Sequence, residues 1–294
     1  MSDVSAATSP SPIGLEASMV VIGDEILGGY VTDTNSPFLA ERLQHHGVPF
    51  TRIHVVPDDA ADIDEALQAE LARPRPRLIV TSGGIGSTPD DITFEAVAAS
   101  LGLGVVEDPD IAERLHAIAA WTREQGLDAG EEFTWHLLRM ARVPEGSRLL
   151  QHGDSWVPAV AVDLDGGCAA NGATVVVLPG VPSEFRRLVS DVLEPGFLAG
   201  RNDVPTVVEV EHVLPESSLN LAFTAMLERY PGVKLGSYPG RPMLVRLTGR
   251  SDEVADAEAL VRAAIEQILS SPGGANLAAT WATRRSRSRA EEDT

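Results

Sequence analysis

Three short apolar runs in this sequence stop abruptly at glycine, and each is followed by a helical pattern. Ser18–Ile22 ends at Gly23, Leu78–Thr81 runs toward Gly83-Gly84-Ile85-Gly86, and Thr174–Leu178 stops at Pro179-Gly180. Strand, glycine turn and helix in series predict an α/β architecture built on a parallel sheet. The helix after the first run starts at about Ser36, where Pro37 suits the first turn, and closes at Gly47. A second strand covers Phe50–Val56. Further helices are expected over Asp62–Arg73, Ile92–Leu101, Pro109–Trp121 and Glu131–Arg142. The helix after Gly180 carries Phe185, Leu188, Val189, Val192 and Leu193 on one stripe.

The polar break Gly200-Arg201-Asn202-Asp203 marks a boundary. Beyond it we expect a strand over Val207–Val213, a helix over Ser217–Tyr230, strands around Lys234–Gly236 and Leu244–Leu247, and a helix over Asp252–Leu269, a small α+β module of βαββα order. The expected organisation is a disordered leader (1–16), a large domain (17–203), a small one (204–270) and a disordered tail (271–294) that contains four arginines in Arg284–Arg289.

Composition narrows the chemistry. With 43 acidic against 23 basic residues the formal charge is −20, which makes a nucleic-acid coat unlikely. Lys234 is the single lysine, so no Walker P-loop exists; phosphate would have to be held by backbone amides, arginine and metal. Cys168 stands alone, no histidines fall at zinc-ligand spacing, and no apolar run approaches the ~20 residues of a membrane span. These features predict a soluble, cytoplasmic protein without a membrane partner. His45 and His46 read as caps on the carbonyls of a helix end, Cys168 as incidental, and Trp121, Trp135 and Trp156 as packing residues, with stacking on a planar ring as the alternative.

The segment from Thr81 to Glu95 is the richest in chemistry. A strand ends, glycines bare their amides and a helix begins, which together form a cradle for an anion. It is not a dinucleotide fingerprint, because Pro89 occupies the place of the third glycine. A plainer reading is a Gly-rich turn in which Thr88 or Asp91 caps the helix and Asp90 complements its dipole. Gly23-Asp24-Glu25 closes the first strand in a similar way. Strand ends of a parallel sheet share one edge, so its acids and those of the loop converge there, and carboxylates beside phosphate suggest Mg²⁺. Pro179–Glu184, followed by Arg186 and Arg187, forms a third junction of the same kind.

Taken together, Gly23–Gly28, Asp33-Thr34-Asn35, Gly83–Gly86 with Thr88 and Asp90–Val97, and Leu178–Glu184 resemble the molybdopterin-binding (MoaB/MogA-like) domain. The similarity is closest to the N-terminal part of CinA-type competence/damage-inducible proteins and to the matching domain of eukaryotic FAD synthase. It runs from about Ser18 to Leu198 and continues through Val233–Pro239 into a KH-like module. The resemblance implies a three-layer αβα domain with a mostly parallel sheet. It also implies a divalent-metal-dependent pyrophosphatase for ADP-ribose, FAD or a related nucleotide, or alternatively a non-hydrolytic molybdopterin or nucleotide binder in molybdenum cofactor metabolism.

Carried over to this chain, the catalytic candidates are Asp24, Asp90, Asp91 and Glu95, with Asp24 and Asp90 as ligands of Mg²⁺ or another divalent metal. The candidates for holding the nucleotide or pterin are Gly23, Asn35, Thr81, Gly83, Gly84, Gly86, Ser87, Thr88, Arg139, Pro179, Gly180 and Glu184. Ser87 stands where relatives carry proline, Arg139 where they carry lysine, and Gln151–Pro158 does not reproduce the Asn-Pro-x-Gly-Thr-Ala-Pro-Gly stretch of the family. The amidohydrolase domain of full-length relatives has no counterpart, so that activity is not expected. Gly232-Val233-Lys234-Leu235 supplies no Gly-x-x-Gly clamp for RNA. The family resemblance implies a homodimer, with a trimer as the alternative.

Overall fold

The apolar runs form the centre of a six-stranded sheet. The computed structural model describes residues 14–127, 130–150, 158–240, 242–274, 276–277 and 279–280. Its large sheet is built from β1 (Glu16–Ile22), β2 (Phe50–Val56), β3 (Arg77–Ser82), β6 (Arg148–Leu149), β7 (Val160–Leu164) and β8 (Ala173–Leu178), in the order β2-β1-β3-β8-β7-β6. The first four in that order are mutually parallel, β7 runs antiparallel to β8, and β6 runs antiparallel to β7. β3 and β8 are buried along their whole length, which is why they read as unbroken apolar runs rather than as alternations.

Successive residues of β1 face opposite layers. Met19 and Val21 pack beneath α2 (Asn35–His45) and α7 (Pro182–Leu188), with Leu39, Phe185 and Leu188. Val20 and Ile22 pack on the other side, with Ile63 of α3 (Ala60–Leu71), Phe94 and Val97 of α4 (Thr93–Ser100), and Ile111 and Leu115 of α5 (Pro109–Glu124). The result is a three-layer αβα domain with a mostly parallel sheet. Each fully buried side chain of this size contributes roughly 1.5–3 kcal/mol.

The most deeply buried charges form a pair. Arg77 and Glu70 are both fully buried and paired, with Arg77 Nε donating to Glu70 Oε2 at 3.0 Å. His54 lies 2.9 Å from the other Glu70 oxygen, and Arg77 also reaches Thr51. Burial pushes the Glu70 carboxyl up, but hydrogen bonds from His54 and Arg77 outweigh it and hold the group below its ordinary value.

Several elements differ from the sequence expectation. α3 begins at Ala60 rather than Asp62, because the Asp59 carboxylate accepts from the Ala61 and Asp62 amides and caps the helix there. The helix expected over Glu131–Arg142 stops at Leu138 (α6, Glu131–Leu138). A single 3₁₀ turn follows, and Arg142–Pro144 becomes strand β5, paired antiparallel with β4 (Val105–Glu107). β7, unforeseen in the sequence, pairs beside β8. The stripe after α7 continues as a π-helical segment, Val189–Leu198, tied to α2 by Arg42, which clasps Glu194 with two bonds of 2.7 Å. His46 pairs with the same carboxylate at 2.8 Å and His45 lies 3.4 Å from Arg42, so these imidazoles meet side chains instead of capping carbonyls.

The described chain is already ordered at Leu15, which is buried and exchanges two 3.0 Å bonds with Asn202; the leader expected over 1–16 therefore ends earlier. The rest of that leader, Gln151–Val157 including Trp156, and most of the tail with its arginines lie outside the described residues. The described residues between Pro272 and Thr280 are helical rather than disordered. Trp121 and Trp135 are 58% and 63% exposed, so neither is a packing residue.

The described residues divide into two compact units between Val204 and Pro205. In the second, β9 (Thr206–His212), β11 (Met243–Gly249) and β10 (Lys234–Tyr238) form an antiparallel sheet in the order β10-β11-β9. α8 (Asn220–Arg229) and α9 (Ser251–Ser270) share a core with it through Phe223, Met226, Val245 and Val261. Among the described residues no helix is long and apolar enough to cross a membrane.

Candidate functional site at the strand ends

Parallel register brings the ends of β1, β3 and β8 side by side: Ser82 is level with Val21 on one side and Leu178 on the other. Gly83 locks the three together. Its φ is +108°, its amide donates to Leu178 O at 3.2 Å, and a Cβ there would lie 2.1 Å from Ile22 O. Only glycine fits. Gly180 is packed against it less tightly, since its Cβ would meet the Gly83 Cα at 3.2 Å. Asn35 ties the junctions from the side, donating through Nδ2 to Ser82 Oγ (3.0 Å) and to Gly180 O (2.9 Å). Its Oδ1 is buried without a hydrogen-bond partner among the described residues, and the residue lines a pocket shared with Glu25, Ile26, Val31 and Thr34.

After Gly83 the loop turns outward. Thr93 anchors its base, donating from its hydroxyl to Gly83 O and from its amide to Gly84 O, each at 2.9 Å. The amides of Gly84, Ile85, Gly86 and Ser87 have no hydrogen-bond acceptor among the described residues. This row of free donors lies where the glycines predict an anion cradle, and Gly83 is not part of it because its own amide is consumed. Further along, Asp91 Oδ2 accepts from both the amide (2.8 Å) and the hydroxyl (2.6 Å) of Thr88. Neither residue caps α4, whose N-terminus has no side-chain cap. Asp91 folds back over Gly86, where a Cβ would meet its carboxylate at 2.5 Å. Arg139 closes the loop from outside, donating to Thr88 O (2.9 Å) and Asp91 O (3.4 Å).

The carboxylates gather around a residue the sequence reading passed over. Asp58 follows β2, and its Oδ2 accepts the Asp24 amide at 3.0 Å where the short helix α1 (Asp24–Leu27) begins. Its Oδ1 faces the cradle, lying 3.3 Å from where a Gly84 Cβ would be. Burial raises the Asp58 pKa above its ordinary value, the Asp24 amide opposes this, and the charges of Glu25, Asp24 and Asp90 push it further up. Asp90 is held low, first by the nearby Thr88 hydroxyl and also by Arg139. Val56-Pro57-Asp58-Asp59 repeats the strand-then-acid signal of Ile22-Gly23-Asp24, and the same reasoning applied to the second strand would have found Asp58.

The other candidates fall into two groups. Asp24, Asp90, Gly84, Gly86, Ser87 and Thr88 share this edge, with Gly23, Asn35, Pro179 and Gly180 beside them. Thr81 is fully buried within β3 and offers nothing to a ligand. Glu95 points to Arg142 at 3.7 Å, and Glu184 pairs with Arg187 at 2.5 Å, both on helix flanks. Cys168 is buried beside Thr174, whose hydroxyl receives its amide.

Among the described residues no three carboxylate, imidazole or thiol groups converge as a ready-made metal cage. The carboxylates at this edge offer oxygen donors, the type of which Mg²⁺ takes one or two while completing its shell with water and substrate phosphate.

Residues 18–199 match the family described as probable molybdopterin binding domain. A CinA-like protein of Myxococcus xanthus is 33% identical over 228 residues, covering 76% of this chain and 51% of that protein. A putative competence-damage inducible protein of Streptococcus gordonii is 29% identical over 257 residues, 87% of this chain and 58% of its own length. The chain thus spans little more than half the length of these two relatives. Among solved structures, the protein CinA of Thermoplasma acidophilum, titled as of unknown function, aligns with a TM-score of 0.50 at 29% identity, over 61% of this chain and 96% of its own.

Proposed function

The chain belongs to the CinA-like proteins that carry a probable molybdopterin binding domain, and from that premise we propose that it is a divalent-metal-dependent pyrophosphatase acting on the diphosphate of ADP-ribose, FAD or a related nucleotide. The observation that supports this reading is Asp58, which accepts the Asp24 amide and faces the loop whose Gly84–Ser87 amides are free. The amides donate to the phosphoryl oxygens and stabilise the charge that develops on them. Asp58, with its pKa raised, is suited to take the proton of the attacking water as the water oxygen bonds to one phosphorus and the bridging P–O bond breaks. Arg139 holds the outer loop so that the amides keep their orientation. Asp24 and Asp90 would hold the cation, which when bound neutralises the phosphoryl oxygens.

The test is hydrolysis of a panel of nucleoside diphosphates with and without Mg²⁺ or Co²⁺. Turnover that needs metal and falls about 10²–10⁴-fold in Asp58→Asn is expected. No turnover on any member of the panel would remove the proposal.

One observation favours a second reading. The orphaned Asn35 Oδ1 beside a pocket is an acceptor waiting for a donor such as a pterin N–H, and it takes no part in hydrolysis. Tight pterin binding without nucleotide turnover would decide for a non-hydrolytic binder.

A further inference from the structure

α6 and the residue that follows it carry two unlike side chains. Arg139 follows its last residue with helical backbone angles (φ −56°, ψ −33°) and spends two guanidinium nitrogens on the carbonyls of Thr88 and Asp91. Trp135 lies four positions earlier, hence one turn away on the same face. Side chains of a helix lean toward its N-terminus, and Arg139 ties the loop to the segment that carries the indole.

Burial does not account for this indole. The core side of the same segment is filled by Leu137, Met140 and Ala141, whereas Trp135 is 63% exposed and meets one ring, that of His136, edge-on at 4.8 Å. The Asp91 amide returns to Thr88 O at 3.1 Å, so the loop doubles back after Ser87, and the free amides and the carbonyls held by Arg139 belong to one compact loop.

We propose that Trp135 is the stacking platform for the planar heterocycle of the ligand whose phosphates rest on the amides of Gly84–Ser87. The inference rests on the diphosphate reading of the loop and adds to it the element that recognises the ring. A heterocycle stacked there would be read by its π-face, so one platform serves an adenine and a flavin alike, and it carries selectivity for ring-bearing over ringless diphosphates.

The test uses a matched pair that resists hydrolysis, α,β-methylene-ADP and the ringless methylenediphosphonate. Each is titrated calorimetrically with Mg²⁺ into the full-length protein and its Trp135→Ala and Trp135→Phe variants, with the oligomeric state followed by sedimentation. Trp135→Ala is expected to weaken the ring-bearing ligand about tenfold and to leave the ringless one unchanged, and Trp135→Phe to recover most of the loss. Unchanged affinity for α,β-methylene-ADP in the alanine variant overturns the platform. So does an equal loss for both ligands, which would mean that the loop itself has been disturbed. A shift to a smaller oligomer with the affinity ratio preserved would make the indole an interface between copies, also against the proposal. If the wild type binds neither compound, the diphosphate reading fails and the platform falls with it; if it binds both and the alanine variant keeps their ratio, the platform alone fails.

Discussion

Asp58 places function and stability in opposition within a single carboxyl group. Burial and the charges of Glu25, Asp24 and Asp90 raise its pKa in the folded chain above that of the unfolded one. A carboxyl shifted in this direction adds stability below its unfolded pKa and loses it as pH rises through the folded value, so at neutral pH its charge works against the fold. Asp58→Asn keeps the shape and one acceptor for the Asp24 amide while removing the charge. The variant is expected to melt at a higher temperature than the wild type at pH 7 while losing hydrolysis, the trade common to active sites. A thermal melt that shows an equal or lower Tm would remove this account of Asp58. At the same scale, the sequence made Gly83, Gly84 and Gly86 legible as a cradle but not the division of labour among them. Gly83 spends its amide on Leu178, and nothing in the local pattern announces a partner ninety-five positions away.

At the scale of elements, the site depends on strand ends staying level. Gly83 sits where three of them meet, and any side chain there would collide with the Ile22 carbonyl. Gly83→Ala is expected to cost roughly 1–3 kcal/mol from the left-handed backbone alone, and to force β1 and β3 apart at their tips. Urea unfolding measures the first, and loss of anion binding by a still-folded variant reports the second. At the opposite end of the same strands, Glu70 joins α3 to β3 through Arg77. Removing one partner of a buried pair strands the other charge, so Glu70→Ala should cost about 3–5 kcal/mol by the same urea measurement. A loss below about 1 kcal/mol would mean that water reaches Arg77. Strands with both faces covered were legible because continuous apolar runs have few other uses. The short pairs β4–β5 and β6–β7 were not, because two to five residues carry no period, and tertiary pairing alone holds them extended.

For the whole molecule, the two units respond to acid at different points. His212, on β9 of the second unit, is buried, and neither ring nitrogen has a hydrogen-bond partner among the described residues. Burial lowers its pKa, only partly offset by the Leu214 backbone and by Glu216. The unfolded chain therefore takes up a proton at about 6.5 that the folded one refuses, and stability falls as pH drops below that value. Glu70 and Glu194 in the first unit have depressed pKa values, so their contribution is lost only at lower pH, as the folded carboxyls protonate. Hydrogen exchange at pH 5.5 against pH 7.5 should show β9 and β11 losing protection while β3 and β8 keep theirs, and His212→Gln should abolish the difference. Uniform loss across both units would refute the assignment.

By itself the sequence determined the α/β class, the order of the main elements and the glycine-bared loop, since apolar period and glycine placement are local properties that survive without the fold. The tertiary structure decided which acids meet. Asp58 joins Asp24 and Asp90 while Glu95 and Glu184 turn to arginines, because parallel pairing sets neighbours by strand order, and no spacing along the chain encodes which strand lies beside which.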